Sequence, residues 1–471
     1  MSDYNLKYGI LIFGTGAIYR RYYKQIKDIP IVALLDNDFQ KHGKKLNGIK
    51  IISPHMAKYM QYDKVILMSD AWEEMREQLL MMDVSSCCII SYHELDRFIY
   101  EVKNREKLKA QYAYIAQRYK TSSEKKALLI SNQMDFTGAP LVLYYAAHIL
   151  KKNGYAVTFI SPMTGELADV VSKEEMDVLQ DTYMTKYNSE LWSLAEICDL
   201  IIINTILIKE LIYGVGGIKT KCIWWIHESD ERCGTVDDYN LVDSFPGNLK
   251  IYGVGKRVID TLERLKSWKG KKVGNLLYGI PEEMKTGAER KTKKIIVLIV
   301  GSVYEVKGQD LLADAVKELP DEIRKKCEFW IIGKILNERY FDTIFRSIES
   351  SHNIIYKGEK TREEMREIYE QSSVLVCPSR RDSMPVVAVE AMMNGKICIV
   401  SDRTGTSHYI EDGINGFLFK NQDFHELSRK MQYVISNIEL LEEVGKRARE
   451  TYERYFSLES FEQNLLDILN N

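Results

Sequence analysis

No two cysteines of this chain form a C-x-x-C pair, so nothing in its thiols outlines a zinc cluster or a disulfide framework. The cysteines (Cys87, Cys88, Cys198, Cys222, Cys233, Cys327, Cys377 and Cys398) mostly sit in apolar runs and read as reduced core thiols of a cytosolic protein. A basic excess is missing as well. Lys and Arg number 65 against 67 Asp and Glu, a formal net charge of −2, which removes the electrostatic footprint of a nucleic-acid binder. No apolar run approaches the ~20 residues of a membrane span; the longest, such as 295–300, have the length of strands. The opening MSDYNLKYGILIFG is apolar only as far as Phe13 before it meets Gly14, with no cleavage pattern and too little length for a signal peptide. The expectation is a cytoplasmic protein, whose membrane association, if any, is peripheral and at the inner face. Internal repeats and low-complexity tracts are absent too.

What is present is a 471-residue chain with 45% apolar and 28% charged residues, enough for about three soluble domains. Short runs rich in Ile, Val and Leu alternate with longer amphipathic stretches. That is the α/β pattern of buried parallel strands separated by helices. Residues 1–95 form a first block, with strands expected at 8–13, 31–35, 64–68 and 87–90 and helices at 17–27 and 71–82. Residues 96–121 read as a connecting helix with charges at helical spacing (Glu101, Arg105, Lys109). A second block, 122–289, carries strands at 126–131, 156–160, 200–204, 221–226 and 250–254. The polar segment 281–293 (PEEMKTGAERKTK) loses apolar periodicity and reads as a hinge. The third block, 290–450, carries strands at 294–300, 327–332, 353–356, 374–377 and 397–401. The tail 451–471 reads as a packed terminal helix.

Chemistry concentrates in the third block. The stretch PSRRDSMPVVAVEAMMNGKICIVSD follows strand 374–377 and places Asp382 in a loop at the strand's carboxyl edge. Ligands of α/β sheets bind at such edges. Ser383, Met384, Pro385 and Val386 lead into a helix whose free N–H groups suit a diphosphate, and Glu390 inside it suits ribose hydroxyls. Upstream, Gly301-Ser302 ends the block's first strand and Lys307-Gly308 precedes a helix, an arrangement able to cradle phosphate. Lys334 and Gly358 also follow strands. In the second block, Gly138-Ala139-Pro140 opens a helix after strand 126–131, and His227-Glu228 follows CIWWI. Each motif alone has an ordinary structural reading; their order along one chain is more specific.

The set resembles the retaining glycosyltransferases of family 4, which have the GT-B fold: two Rossmann-like lobes facing a cleft. The correspondence rests on Gly301, Lys307-Gly308, Pro378-Ser379, Asp382-x(7)-Glu390-Ala391, Gly405, Gly413 and Gly416, and extends over about residues 125–465. It implies an acceptor lobe at 122–289 and a donor lobe at 290–450. The implied reaction is transfer of a sugar, with retention, from a UDP- or GDP-linked donor to a glycan, lipid-linked or other acceptor in cell-surface polysaccharide or glycoconjugate synthesis. By resemblance, Lys307 binds diphosphate, Glu390 binds ribose, Asp382 and His227 orient the sugar, and Gly138 and Ala139 allow close approach. No cofactor or metal is required beyond the nucleotide sugar. Two departures stand out. Asp382 is one methylene shorter than the family's Glu, and Ser302 replaces an Arg, leaving Arg380, Arg381 or Lys334 to supply the missing charge. Tyr278 in LLYGIP replaces an Asn.

The first block adds a Rossmann-like module. GTGAIYR after the first strand, with Asp36 ending the next, is similar to a dinucleotide fingerprint, but Tyr19 stands where the third Gly belongs. The block therefore reads as a structural, regulatory or partner-binding module rather than a working NAD site. Two other readings stay open: an NAD-dependent sugar-modifying enzyme working through this module, and, because of Ser302, a non-catalytic nucleotide-sugar sensor or partner subunit.

Overall fold

A computed structural model describes residues 6, 8–182, 184–185, 189–229, 245–265, 268, 270–282, 293–348 and 353–470. Most of the expected hinge (283–292) and Cys233 lie outside the described residues. The chain divides into two compact units, Met1–Ile115 and Ala116–Asn471. The division falls within the helix Leu95–Thr121.

The first unit is built on β1 (Ile10–Phe13), β2 (Ile31–Leu35), β3 (Lys45–Leu46), β4 (Ile49–Ile52), β5 (Lys64–Leu67) and β6 (Ile89–Ser91), in the order β3-β4-β2-β1-β5-β6. All neighbours pair in parallel except β3 with β4. Every side chain of β1 is buried, as a strand covered on both faces requires.

The second unit holds two sheets. One contains β7 (Lys125–Ser131), β8 (Tyr155–Ser161), β9 (Asp177–Gln180), β10 (Leu200–Asn204), β11 (Lys221–Ile226), β12 (Leu249–Gly253) and β13 (Val273–Asn275), ordered β13-β12-β11-β10-β7-β8-β9. The other contains β14 (Ile295–Val300), β15 (Cys327–Ile332), β16 (Ile354–Tyr356), β17 (Val374–Cys377), β18 (Ile397–Ser401) and β19 (Phe417–Phe419), ordered β16-β15-β14-β17-β18-β19. Both sheets are parallel throughout. Their central strands read as unbroken apolar runs because each lies between helices; the core of the β14–β19 sheet joins Val297, Phe329, Val376 and Ile399 to Leu312 and Leu427 of the flanking helices.

The terminal region differs from its expected boundary. The helix Glu442–Tyr455 runs straight through position 451, and the break comes at Phe456 and Ser457 before the helix Leu458–Asn470. That last helix crosses back to the first sheet. Phe461, fully buried, packs on Trp225 with ring centroids 5.5 Å apart. Glu462 pairs with Lys152 at 2.6 Å, and Lys221 Nζ donates to the Leu469 carbonyl at 2.8 Å.

Candidate active site

Each sheet of the second unit reverses its winding once. In the first, the chain starts at β7, winds out through β8 and β9, and resumes on the other side with β10; in the second the reversal lies between β14 and β17. Loops leaving the carboxyl ends of strands beside a reversal diverge and leave a crevice. Both crevices open on one cavity of about 350 Å³. It is lined by Gln133 and Gly138 after β7, Leu207 after β10, Lys307 after β14 and Asp382 after β17.

On the β14–β19 side, Lys307 Nζ and Asp382 Oδ2 form an ion pair of 2.6 Å. Burial alone would lower the Lys307 ammonium, but the charge and hydrogen bond of Asp382 outweigh it, and the pKa is held above its ordinary value. Close backbone contacts set these loops. Gly308, at φ +72°, rests on Pro378, where an added Cβ would meet the Pro378 carbonyl oxygen at 2.3 Å. Gly405 rests on Ser383, and its N–H donates to the Asp382 carbonyl at 2.9 Å. Pro385 caps the helix Val386–Met393, which points its N-terminus at the cavity wall formed by Met384 and Val386.

On the β7–β13 side, the His227 ring packs against Trp225 in a tilted arrangement, centroids 4.6 Å apart. Its Nε2 is shielded from solvent and has no hydrogen-bond partner among the described residues. Desolvation pushes its pKa down to about 3, so the ring at the cavity is neutral at pH 7. Between pH 7 and 5 the unfolded chain takes up a proton that this ring refuses. The His227 contribution to stability is therefore complete above the unfolded value near 6.5 and declines as the pH falls towards 3. Urea unfolding is expected to show the wild type losing about 1–2 kcal/mol more than His227→Gln over that interval.

Of the residues expected at the site, Gly138, Ala139, His227, Lys307, Asp382, Ser383, Met384 and Val386 line the cavity. Glu390 is not among the lining residues. It accepts a hydrogen bond from Tyr369 Oη at 2.8 Å, and burial, then the charges of Asp382 and Glu390, push the Tyr278 phenol well up. Gly301, Ser302, Pro385, Lys334 and Gly358 are set back from the lining. The Ser302 carbonyl accepts from Gln309 Nε2 at 3.0 Å, and Lys334 is exposed. Of the cations proposed to offset Ser302, Arg380 is committed to a two-pronged pair with Asp310 at 2.7 and 2.9 Å, whereas Arg381 lines the cavity.

Tyr278 and Glu228, each within a sequence motif but assigned no role from it, also line the cavity. Tyr278 lines the cavity and donates to the Met384 carbonyl at 3.2 Å, joining the two sheets' loops. Ser229 and Ser383 meet across the same gap at 3.0 Å, and Arg362 donates to Tyr145 Oη. Within the first unit, the Asp36 carboxylate accepts from the Thr15 hydroxyl, from Asp38 N at 2.9 Å and from Lys41 Nζ at 3.0 Å. These bonds outweigh the cost of burial and hold its pKa low. The Asp36 carboxylate of the dinucleotide-like fingerprint thus ties its own loops together.

Residues 281–451 match the family model described as glycosyl transferases group 1, and residues 123–239 match glycosyl-transferase family 4. Residues 6–90 match a model described as C2185-like, N-terminal. An uncharacterized glycosyltransferase of Haemophilus influenzae is 25% identical over 351 residues, 70% of this chain and 96% of the relative. A poly(ribitol-phosphate) alpha-N-acetylglucosaminyltransferase of Staphylococcus aureus is 28% identical over 185 residues, 38% of this chain and 36% of the relative. The crystal structure of the HepE protein of Anabaena, in complex with UDP and glucose, superposes with a TM-score of 0.64 at 15% identity, covering 74% of this chain and 99% of that one.

Proposed function

We propose that this chain, a glycosyltransferase with the GT-B fold and family 4 sequence domains in both lobes, moves a sugar with retention from a nucleoside diphosphate to a glycan-type acceptor in cell-surface polysaccharide or glycoconjugate synthesis. The observation that carries this reading is the shared cavity. Two sheet reversals open on it, with a cation at one wall and a neutral imidazole at the other. The UDP and glucose held by the Anabaena protein support the ligand class, and the Staphylococcus relative's name supports a polymer acceptor.

The roles follow from position. Lys307 and the N–H groups at the start of the helix Val386–Met393 meet the diphosphate as its charge grows during departure. Glu390 takes the ribose hydroxyls. Asp382 and the His227 Nε2 orient the sugar, and Gly138 and Ala139 let it approach the backbone. Among the described residues, two carboxylates line the cavity, and both are engaged: Asp382 with Lys307, and Glu228 with backbone N–H groups. That supports a route without a glycosyl-enzyme intermediate. The anomeric carbon–phosphate oxygen bond breaks, the acceptor oxygen bonds on the same face, and its proton passes to the departing phosphate. The reading calls on no cofactor beyond the donor itself.

Arg381 is the second cation of this pocket. Arg381→Ala is expected to raise the donor KM about tenfold with kcat little changed, since a lost charge-assisted bond made equally in ground and transition states costs about that much. Arg380→Ala is expected instead to lower the melting temperature, because its guanidinium serves Asp310. The deciding experiment is nucleotide release from a panel of UDP- and GDP-sugars. Slow release, abolished in Glu390→Ala, supports the reading; nucleotide binding without turnover towards any donor overturns it.

A further inference from the structure

Glu228 sits at the cavity wall yet is only 8% exposed. Its carboxylate accepts hydrogen bonds from Ile206 N at 2.9 Å, from His227 N at 3.2 Å and from the Thr205 hydroxyl. Thr205 is held at φ +96° and ψ 152°, a conformation that a β-branched residue adopts only under constraint. The same hydroxyl accepts from Leu207 N at 3.2 Å, and the Thr205 carbonyl accepts from the Trp224 indole at 2.9 Å. One side chain thus ties the loop after β10 to the residue that follows β11, and each of these loops contributes a cavity residue, Leu207 and His227.

We propose that Glu228 is a positioning residue that clamps the strained Thr205 turn and thereby fixes His227 and Leu207 against the donor and acceptor. This rests on the reading of the cavity as the transfer site. Three donors converge on one carboxylate, which rules against its acting as a general base: its oxygens face the protein's own N–H and O–H groups. An ionised acceptor suits such a cluster better than an amide, whose NH₂ would be turned towards one of the donors.

A double-mutant cycle tests the clamp, using Glu228→Gln, Thr205→Gly and their combination, with nucleotide-sugar turnover and melting temperature both measured. Glycine adopts positive φ without strain, so it removes the need for the clamp. Glu228→Gln is expected to lower kcat about 30-fold in the wild-type background, with the donor KM changed less than about threefold, and to lower it less than about threefold beside Thr205→Gly. Melting temperature is expected to show the same coupling. Equal kcat losses in both backgrounds would overturn the proposal, because the carboxylate would then act on the substrate directly. Coupled melting temperatures with unchanged turnover would also overturn it, leaving a purely structural tie. If the wild type released no nucleotide from any donor, the transfer reading would fail; the temperature coupling would still report whether the clamp exists.

Discussion

Lys307→Ala is expected to reduce nucleotide-sugar turnover by about 10²–10³-fold, the scale seen when one preorganised charge is removed from a developing anion. The ammonium rests 2.6 Å from Asp382. On the proposed reading the donor's diphosphate would share this ammonium with Asp382, and the ion pair orients Lys307 for it. Removing the lysine has a second effect. It leaves the Asp382 carboxylate in a largely enclosed site without its counter-ion, and the melting temperature should fall as well. Adding Asp382→Asn restores the balance of charge. The double variant is expected to regain most of the lost melting temperature while its turnover stays low, measured by thermal unfolding and nucleotide release on the same samples. Turnover recovering together with stability would show that Lys307 has only a structural task.

The second large effect belongs to a residue that touches no ligand. Gly405→Ala would place a Cβ 1.7 Å from the Ser383 carbonyl oxygen, and the atom in the way is backbone. The loop carrying Asp382 and Ser383 must therefore move, and with it one wall of the cavity. A displacement near 1 Å of positioning groups costs about 10²-fold in rate, which sets the expected loss in kcat/KM; a fall in melting temperature should accompany it. Gly138→Ala gives the informative contrast. A Cβ there meets open space, so the fold should melt unchanged, and any loss should appear only in donor binding or turnover.

The long apolar runs made the α/β architecture and the central strands visible in the sequence. Short edge strands escaped: β9, β13 and β19 have four, three and three residues, too few to show a period. The β3–β4 hairpin was readable in principle. Asn47-Gly48 sits between its strands, both residues at positive φ as a tight two-residue turn demands. At the cavity, Lys307, Asp382 and His227 were visible because each follows a strand at a motif spacing. Glu228 and Thr205 were not. They are 23 residues apart, and only the adjacency of β10 and β11 brings them together. The sequence likewise could not separate Arg380 from Arg381. Neighbours leaving one strand diverge, one to Asp310 and the other to the cavity, and the direction is settled by the loop, not by residue type.

The helix Leu458–Asn470 supplies Phe461 and Leu465 to the face of a lobe whose own strands end at Asn275. During synthesis on the ribosome, roughly the final hundred and ninety residues must emerge before that face is covered, about ten to forty seconds at ordinary elongation rates. The earlier lobe therefore waits, partly bare around Trp225, for the last turns of the chain. Shortening that helix should send newly made protein to chaperones or proteases, although none of the described cavity-lining residues lies on it.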